Sequence, residues 1–111
     1  MANSLTTEIQ LQAACFQWHW NSFPLLRGTL FHINQKARNA IEGNQMKAIG
    51  VVPGVSDLCN ILPFGRVRWI EMKTQDGRQS PDQVKFQRLC EELGHEYIIC
   101  RTFEEFKLLF T

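Results

Sequence analysis

The chain has 111 residues, 44% hydrophobic and 11% aromatic, which is enough for one buried core and too little for a second domain. A formal charge of +1 argues against a generally basic nucleic-acid coat. Four cysteines without a C-x-x-C pair and three scattered histidines give neither a zinc site nor a disulfide framework, so buried free thiols are expected. No apolar stretch approaches the roughly 20 residues that span a bilayer. The start MANSLTTEIQ lacks the basic-then-apolar layout of a secretory signal, so a protein of the cytoplasm, not secreted, is expected.

Residues from about Thr6 to Asn21 read as a helix, with Ile9, Ala13, Phe16 and Trp20 at helical spacing as the face that packs on a sheet. Glu8 falls in its first turn, where the helix dipole alone favours a carboxylate. Leu30 to Ile33 reads as a short strand, and the polar, basic run NQKARNAIEGNQMKA as a helix with a frayed middle at Gly43.

The segment PGVSDLCNILPFGRVRWIEMKTQDG carries two apolar runs around a Pro63-Phe64-Gly65-Arg66 turn. A hairpin centred near Phe64 sets Asp57 directly across from Glu71. Lys73 lies two residues on and shares the face of Glu71, while Ile70 and Met72 point into the opposite layer. Two carboxylates facing each other at roughly 5 Å repel, and a divalent cation between them removes that penalty. The plainer alternative is a solvated strand edge, and a slip of one residue would separate the three groups.

TQDGRQ supplies turn residues, and Ser80-Pro81-Asp82-Gln83 is a capped helix start with Ser at N-cap, Pro at N1 and Gln at N3. The helix runs to about Leu93 and ends at Gly94. Tyr97 to Cys100 forms a further strand, and Thr102 to Phe110 a last amphipathic helix carrying Phe103, Phe106, Leu109 and Phe110. The order α-β-α-β-β-α-β-α, without repeat or linker, predicts a single α/β domain over residues 1–111, a mixed sheet flanked by helices.

Charge is unevenly spread. From Arg27 to Arg88 ten Lys/Arg face five Asp/Glu, and outside that span two face six. This suits a polyanionic partner, with chance clustering beside solvated acidic helices as the alternative. The aromatic surplus has two readings as well. Trp18, Trp20, Phe23, Leu25 and Leu26, with Phe103, Phe106, Leu109 and Phe110, either finish the core or leave an apolar patch for an interface.

PGVSDL, then IEMKTQDGRQSPDQVKF, then LGHEYIICRTFEEF resemble the VRR-NUC branch of the PD-(D/E)xK nucleases, over roughly residues 30 to 106. The proline of the family name corresponds to Pro53, and Ser56 precedes Asp57. The resemblance implies a small restriction-endonuclease-like domain in which Asp57, Glu71 and the Met72 carbonyl bind Mg²⁺ or Mn²⁺ and Lys73 acts on the attacking water. It also implies an acid on the first helix near the metal, for which Glu8 is the candidate. Gln83 would sit close to Lys73, although its capping role explains it equally well. His32, Asn34, Lys36 and Arg38, around the strand-to-loop segment before the basic helix, are the implied DNA-facing residues.

The implied activity is metal-dependent DNA endonuclease chemistry, structure-specific on branched DNA such as Holliday junctions. Such work in DNA repair suits a homodimer whose two sites address two strands, in an intracellular or phage-encoded protein. The alternative is a non-catalytic DNA-binding or assembly module that keeps the fold. Degenerate members of that kind are expected to lose an acid or the lysine, and Asp57, Glu71 and Lys73 are all present.

Overall fold

Each of the four helices begins where a short polar side chain replaces a missing backbone partner. Thr7, Asn39, Ser80 and Thr102 each accept the N–H three residues on, at 3.1, 2.8, 3.2 and 3.1 Å, and such caps contribute about 1 kcal/mol apiece. They open α1 (Glu8–Ser22), α2 (Ala40–Ala48), α3 (Pro81–Glu92) and α4 (Phe103–Leu108). Between them lie β1 (Leu30–His32), β2 (Leu58–Ile61), β3 (Val67–Met72) and β4 (Glu96–Cys100), with a 3-10 turn at Pro24–Leu26. The structure, a computed structural model, describes residues 7–33 and 36–111. The element order is the expected one.

The strands form one mixed sheet in the order β1-β2-β3-β4. β1 and β2 are antiparallel, with α2 in the connection between them, β2 and β3 are an antiparallel hairpin, and β3 and β4 are parallel, joined through α3. The β2–β3 ladder runs from Ile61↔Val67 to Leu58↔Ile70, which is the register that sets Asp57 opposite Glu71. Its turn closes with the Leu62 N–H on the Arg66 carbonyl at 2.9 Å. Phe64 takes a positive φ of 64° in that turn, a conformation that costs a non-glycine residue about 1–2 kcal/mol.

One face of the sheet carries the core. Leu11 and Cys15 of α1, Leu30, Leu58, Ile70, Met72, Cys100 and Phe106 of α4 pack together there. On the other face α3 lays Phe86 edge-on against Trp69, ring centroids 5.4 Å apart, and against Tyr97. The four cysteines are free and buried, as expected. Among the described residues no helix is long and apolar enough to cross a membrane.

Three expectations need correction. The buried stripe of α1 is Leu11, Cys15 and His19, not Ile9, Ala13, Phe16 and Trp20; Ile9 is 73% and Trp20 41% exposed. Apolar residues surround most of this helix, so two stripes compete, and the sheet and α4 bury the one that carries small Cys15. α2 runs unbroken through Gly43, whose N–H bonds the Asn39 carbonyl at 2.9 Å. α4 ends at Leu108, with Thr102 as its cap and Phe110 beyond it. The helix start expected at Thr6 lies outside the described residues.

The aromatic surplus divides between its two readings. Trp18 meets Phe23, Phe103, Phe106 and Phe110 with ring centroids 5.5 to 6.2 Å apart, so this set finishes the core. Trp20, Leu25 and Leu26 remain exposed. His19 is buried between Phe23 and Phe110, its Nε2 without a partner among the described residues, and burial lowers its pKa.

Candidate active site

Asp57 sits one residue before β2, and its Oδ2 accepts the Met72 N–H at 2.7 Å. Its carbonyl accepts the Ile33 N–H at 2.9 Å and lies 2.9 Å from His32 Nδ1, which is also 3.0 Å from the Gln12 amide of α1. The residue is thereby tied to β1 and β3; His32 Nδ1 serves the Asp57 carbonyl in the tautomer that donates and the Gln12 amide in the one that accepts. Ser56, fully buried, braces the preceding turn by donating its hydroxyl to the Leu58 carbonyl.

Glu71 is 1% exposed. Gln83 Nε2 donates to its Oε2 at 3.0 Å, and the Tyr97 hydroxyl lies 3.5 Å from its Oε1. Burial, then the charge and hydrogen bond of Asp57, push the Glu71 carboxyl up to about 8, against the opposing pull of Lys73. Without a cation Glu71 therefore holds its proton at neutral pH. Burial and the charge of Glu71 also raise the Tyr97 phenol, which keeps it a donor.

Gln83 fills its expected capping role, and its amide nitrogen meets Glu71, where a place close to Lys73 was expected. Its Oε1 accepts the Ser80 N–H at 2.8 Å in the capping box of α3, and this bond turns Nε2 toward Glu71. The start of α3 is held against the Pro53-Gly54 turn at very close range. A Cβ on Gly54, where φ is +87°, would lie 2.3 Å from the Asp82 carbonyl oxygen, so only glycine fits there.

A cleft of about 550 Å³ opens over these groups, its walls including Glu8, Gln12, His32, Lys36, Asp57 and Gln83. Glu71 and Lys73, which is 7% exposed, lie behind Asp57 and Gln83 and do not line it. Glu8 is near enough for its charge to bear on Glu71. The Met72 side chain is buried in the core, and only its backbone belongs to the site. Arg38 turns to Glu42, 2.7 Å away, at the start of α2. Asn34 lies outside the described residues.

Among the described residues no three His, Cys, Asp or Glu side chains close into a ready metal cluster. The donor set that is present, a half-buried carboxylate on the cleft wall beside a buried one that holds its proton, is the hard-oxygen pair that Mg²⁺ or Mn²⁺ accepts alongside its own waters. The residues fit such an ion and do not fit zinc.

Sequence reading missed several members. Tyr97 and Gln79, whose amide donates to the Tyr97 hydroxyl at 3.3 Å, form a second line of support behind Glu71. Gln12 fixes His32. A lone Tyr in a strand, a Gln in a loop and a Gln on a helix carry no local signal; only the parallel β3–β4 pairing, Glu71 beside Ile99, brings Tyr97 near.

No family sequence model matches the chain, and no curated protein sequence does. Solved structures do. A structure described as a VRR_NUC domain protein superposes with a TM-score of 0.75 at 18% identity, covering 94% of this chain and 85% of that one. Another, described as a VRR_NUC domain, gives 0.59 at 18% identity over 94% and 95%. At this identity the likeness is one of architecture, and the fold of this chain is that of the VRR_NUC domain.

Proposed function

We propose that this chain is a divalent-metal-dependent DNA endonuclease of the VRR-NUC branch of the PD-(D/E)xK nucleases. The observation that carries the reading is the pairing of Asp57, on the wall of the cleft, with Glu71 buried behind it, its pKa pushed up to about 8. A fold gains nothing from placing two carboxylates together out of water unless something positive comes between them. The likeness to structures described as VRR_NUC domains supports the same reading.

Asp57, Glu71 and the Met72 carbonyl would hold Mg²⁺ or Mn²⁺, which when bound supplies charge for the phosphate oxygens and acidity for a water. Gln83 and Tyr97 keep the Glu71 carboxylate aimed by donating to its two oxygens. Lys73 orients the attacking water through Nζ and steadies the negative charge that builds on the phosphate. A compact ammonium does this better than a delocalised guanidinium. Glu8 accepts from water on the cleft side. His32 and Lys36 on the cleft wall, together with Arg38, take the DNA backbone, and Asn34, outside the described residues, is proposed for the same role.

The finer reading is cutting of branched DNA, four-way junctions above all, by a homodimer. A groove of about 490 Å³ between α1 and β1, with Ile9, Phe16, Trp20 and Phe31 on its walls, leaves apolar surface outside the core and supports a place for a second copy. One chain has one cleft, and two strands of a junction need two.

The test is cleavage of linear, nicked, flapped and four-way DNA with Mg²⁺ or Mn²⁺, together with sedimentation. Expected are metal-dependent cutting of four-way DNA above linear duplex, a dimer, and weaker binding at high salt. A monomer that cuts linear duplex as readily removes the junction reading and leaves the nuclease. Tight Mn²⁺ binding that depends on Glu71, without cleavage of any DNA, makes the chain a non-catalytic module.

A further inference from the structure

Lys73 is an ammonium-bearing side chain held almost out of solvent, and its own strand is only part of what holds it. Its N–H donates to the Cys100 carbonyl at 3.0 Å, the last rung between β3 and β4. The chain then turns, with the Gly77 N–H on the Thr74 carbonyl at 3.1 Å. This turn lies against the lysine: a Cβ built on Gly77 would come 3.4 Å from Lys73 Cδ and 3.0 Å from Thr74 Oγ1.

The turn is braced from behind by Arg101, the residue after β4. Its Nη1 donates to the Thr74 carbonyl at 2.8 Å and the Gly77 carbonyl at 2.7 Å, with a longer contact of 3.4 Å to that of Gln75. The root of the side chain is fixed in turn, because the Arg101 N–H donates to Glu105 Oε1 at 2.8 Å in the first turn of α4. A guanidinium given over to main-chain carbonyls, with its backbone tied down, sets the shape of a turn more firmly than any neutral side chain could.

We infer that Arg101 is a positioning residue for Lys73: it locks the Thr74–Gly77 turn that closes over the lysine stem. The inference rests on the reading of Lys73 as the group that acts on the attacking water. Arg101 touches neither carboxylate, and Asp57 and Glu71 are held by separate bonds to Met72, Gln83 and Tyr97. Its loss therefore loosens Lys73 without disturbing the metal ligands.

Arg101→Met and Arg101→Lys, alone and combined with Lys73→Met, test this. The readouts are single-turnover cleavage, KM for DNA, Mn²⁺ affinity, and the rate at which an amine-specific reagent labels Lys73 in the metal-free protein, read by mass spectrometry. Arg101→Met should slow cleavage by at least about tenfold with KM and Mn²⁺ affinity within about twofold. It should cause no further loss in the Lys73→Met background, since groups acting as a unit are not additive. Lys73 labelling should accelerate about fivefold or more, with Arg101→Lys intermediate in both rate and labelling. Unchanged labelling in folded Arg101→Met, or in Arg101→Lys should the first variant not fold, overturns the inference. So does a cleavage loss that persists in full beside Lys73→Met. A wild-type protein that cleaves no DNA removes the nuclease reading, and the labelling arm still decides the brace.

Discussion

Glu96 and Glu71 stand at opposite ends of neighbouring strands and are shifted in opposite directions. Glu96 opens β4 beside Arg66 and Arg68, and the hydrogen bond from Arg66, with that from Arg68, holds its carboxyl below the ordinary range. Glu71, the last residue but one of β3, is itself buried beside another carboxylate, and its carboxyl rises. At the hairpin end of the sheet the fold supplies its own counter-ions. At the cleft end it leaves negative charge uncompensated and spends hydrogen bonds on aiming it. Charge balanced within the chain serves stability, and charge left unbalanced in a shaped place marks where something else binds.

The largest effect expected comes from removing one partner of the unbalanced pair. Asp57→Asn or Glu71→Gln should lower metal-dependent cleavage by about a thousandfold or more, while the metal-free melting temperature stays level or rises as the repulsion goes. Near-normal cleavage by either variant would end the metal-site assignment. Lys73→Met should lose turnover with Mn²⁺ affinity retained, checked by titration.

Next in size is the pH dependence of stability. Below 4.5 Glu71 is protonated in the folded and the unfolded chain alike; between 4.5 and about 8 the unfolded chain ionises it while the metal-free fold keeps the proton. Metal-free stability relative to Glu71→Gln should therefore fall as pH rises through that window, and saturating Mg²⁺ should reverse the slope. Glu96 runs the other way, its contribution complete above 4.5 and lost as pH falls through its lowered pKa. His19, lowered from 6.5, adds a loss of stability as pH falls below 6.5. Both cancel in the comparison with Glu71→Gln, so thermal melts of the two proteins across the range isolate Glu71. A flat difference would mean that Glu71 is already ionised in the metal-free fold.

Glu8→Gln should reduce cleavage by about tenfold with little change in melting if the carboxylate serves the cleft. If it serves only the helix dipole, stability falls by roughly 0.3–1 kcal/mol and cleavage is unchanged. The smallest effect belongs to the balanced pole. Glu96→Gln removes a partly exposed ion pair and should cost about 1 kcal/mol or less, with cleavage within about twofold. A large activity loss there would dissolve the contrast between the two ends.

The hairpin was legible in the sequence because a Pro-Phe-Gly turn and two short apolar runs leave few registers, and side-chain alternation then assigns Glu71 and Lys73 to one face. α3 was legible because Ser-Pro-x-Gln spells a helix start in local chemistry. The packing side of α1 was not, since eight or so apolar positions surround it and only the tertiary neighbours decide between stripes. Gly54 reads from sequence as a turn glycine, while the reason that nothing larger fits is the Asp82 carbonyl 2.3 Å from where its Cβ would stand, on an element nearly thirty residues away. Arg101 and Tyr97 act across the parallel crossover, a distance that no local pattern encodes.

The divided amide of Gln83 has a consequence for what this position can become. A glutamate there would keep the oxygen that caps α3 and exchange the nitrogen on Glu71 for a second oxygen. Deamidation of that one side chain would thus leave the helix intact and point a third negative group at the buried pair, while asparagine, one methylene shorter, could not span the two partners. The residue works as a rigid spacer whose two ends must differ in polarity, so the beginning of a helix and the aim of a carboxylate are written in a single side chain.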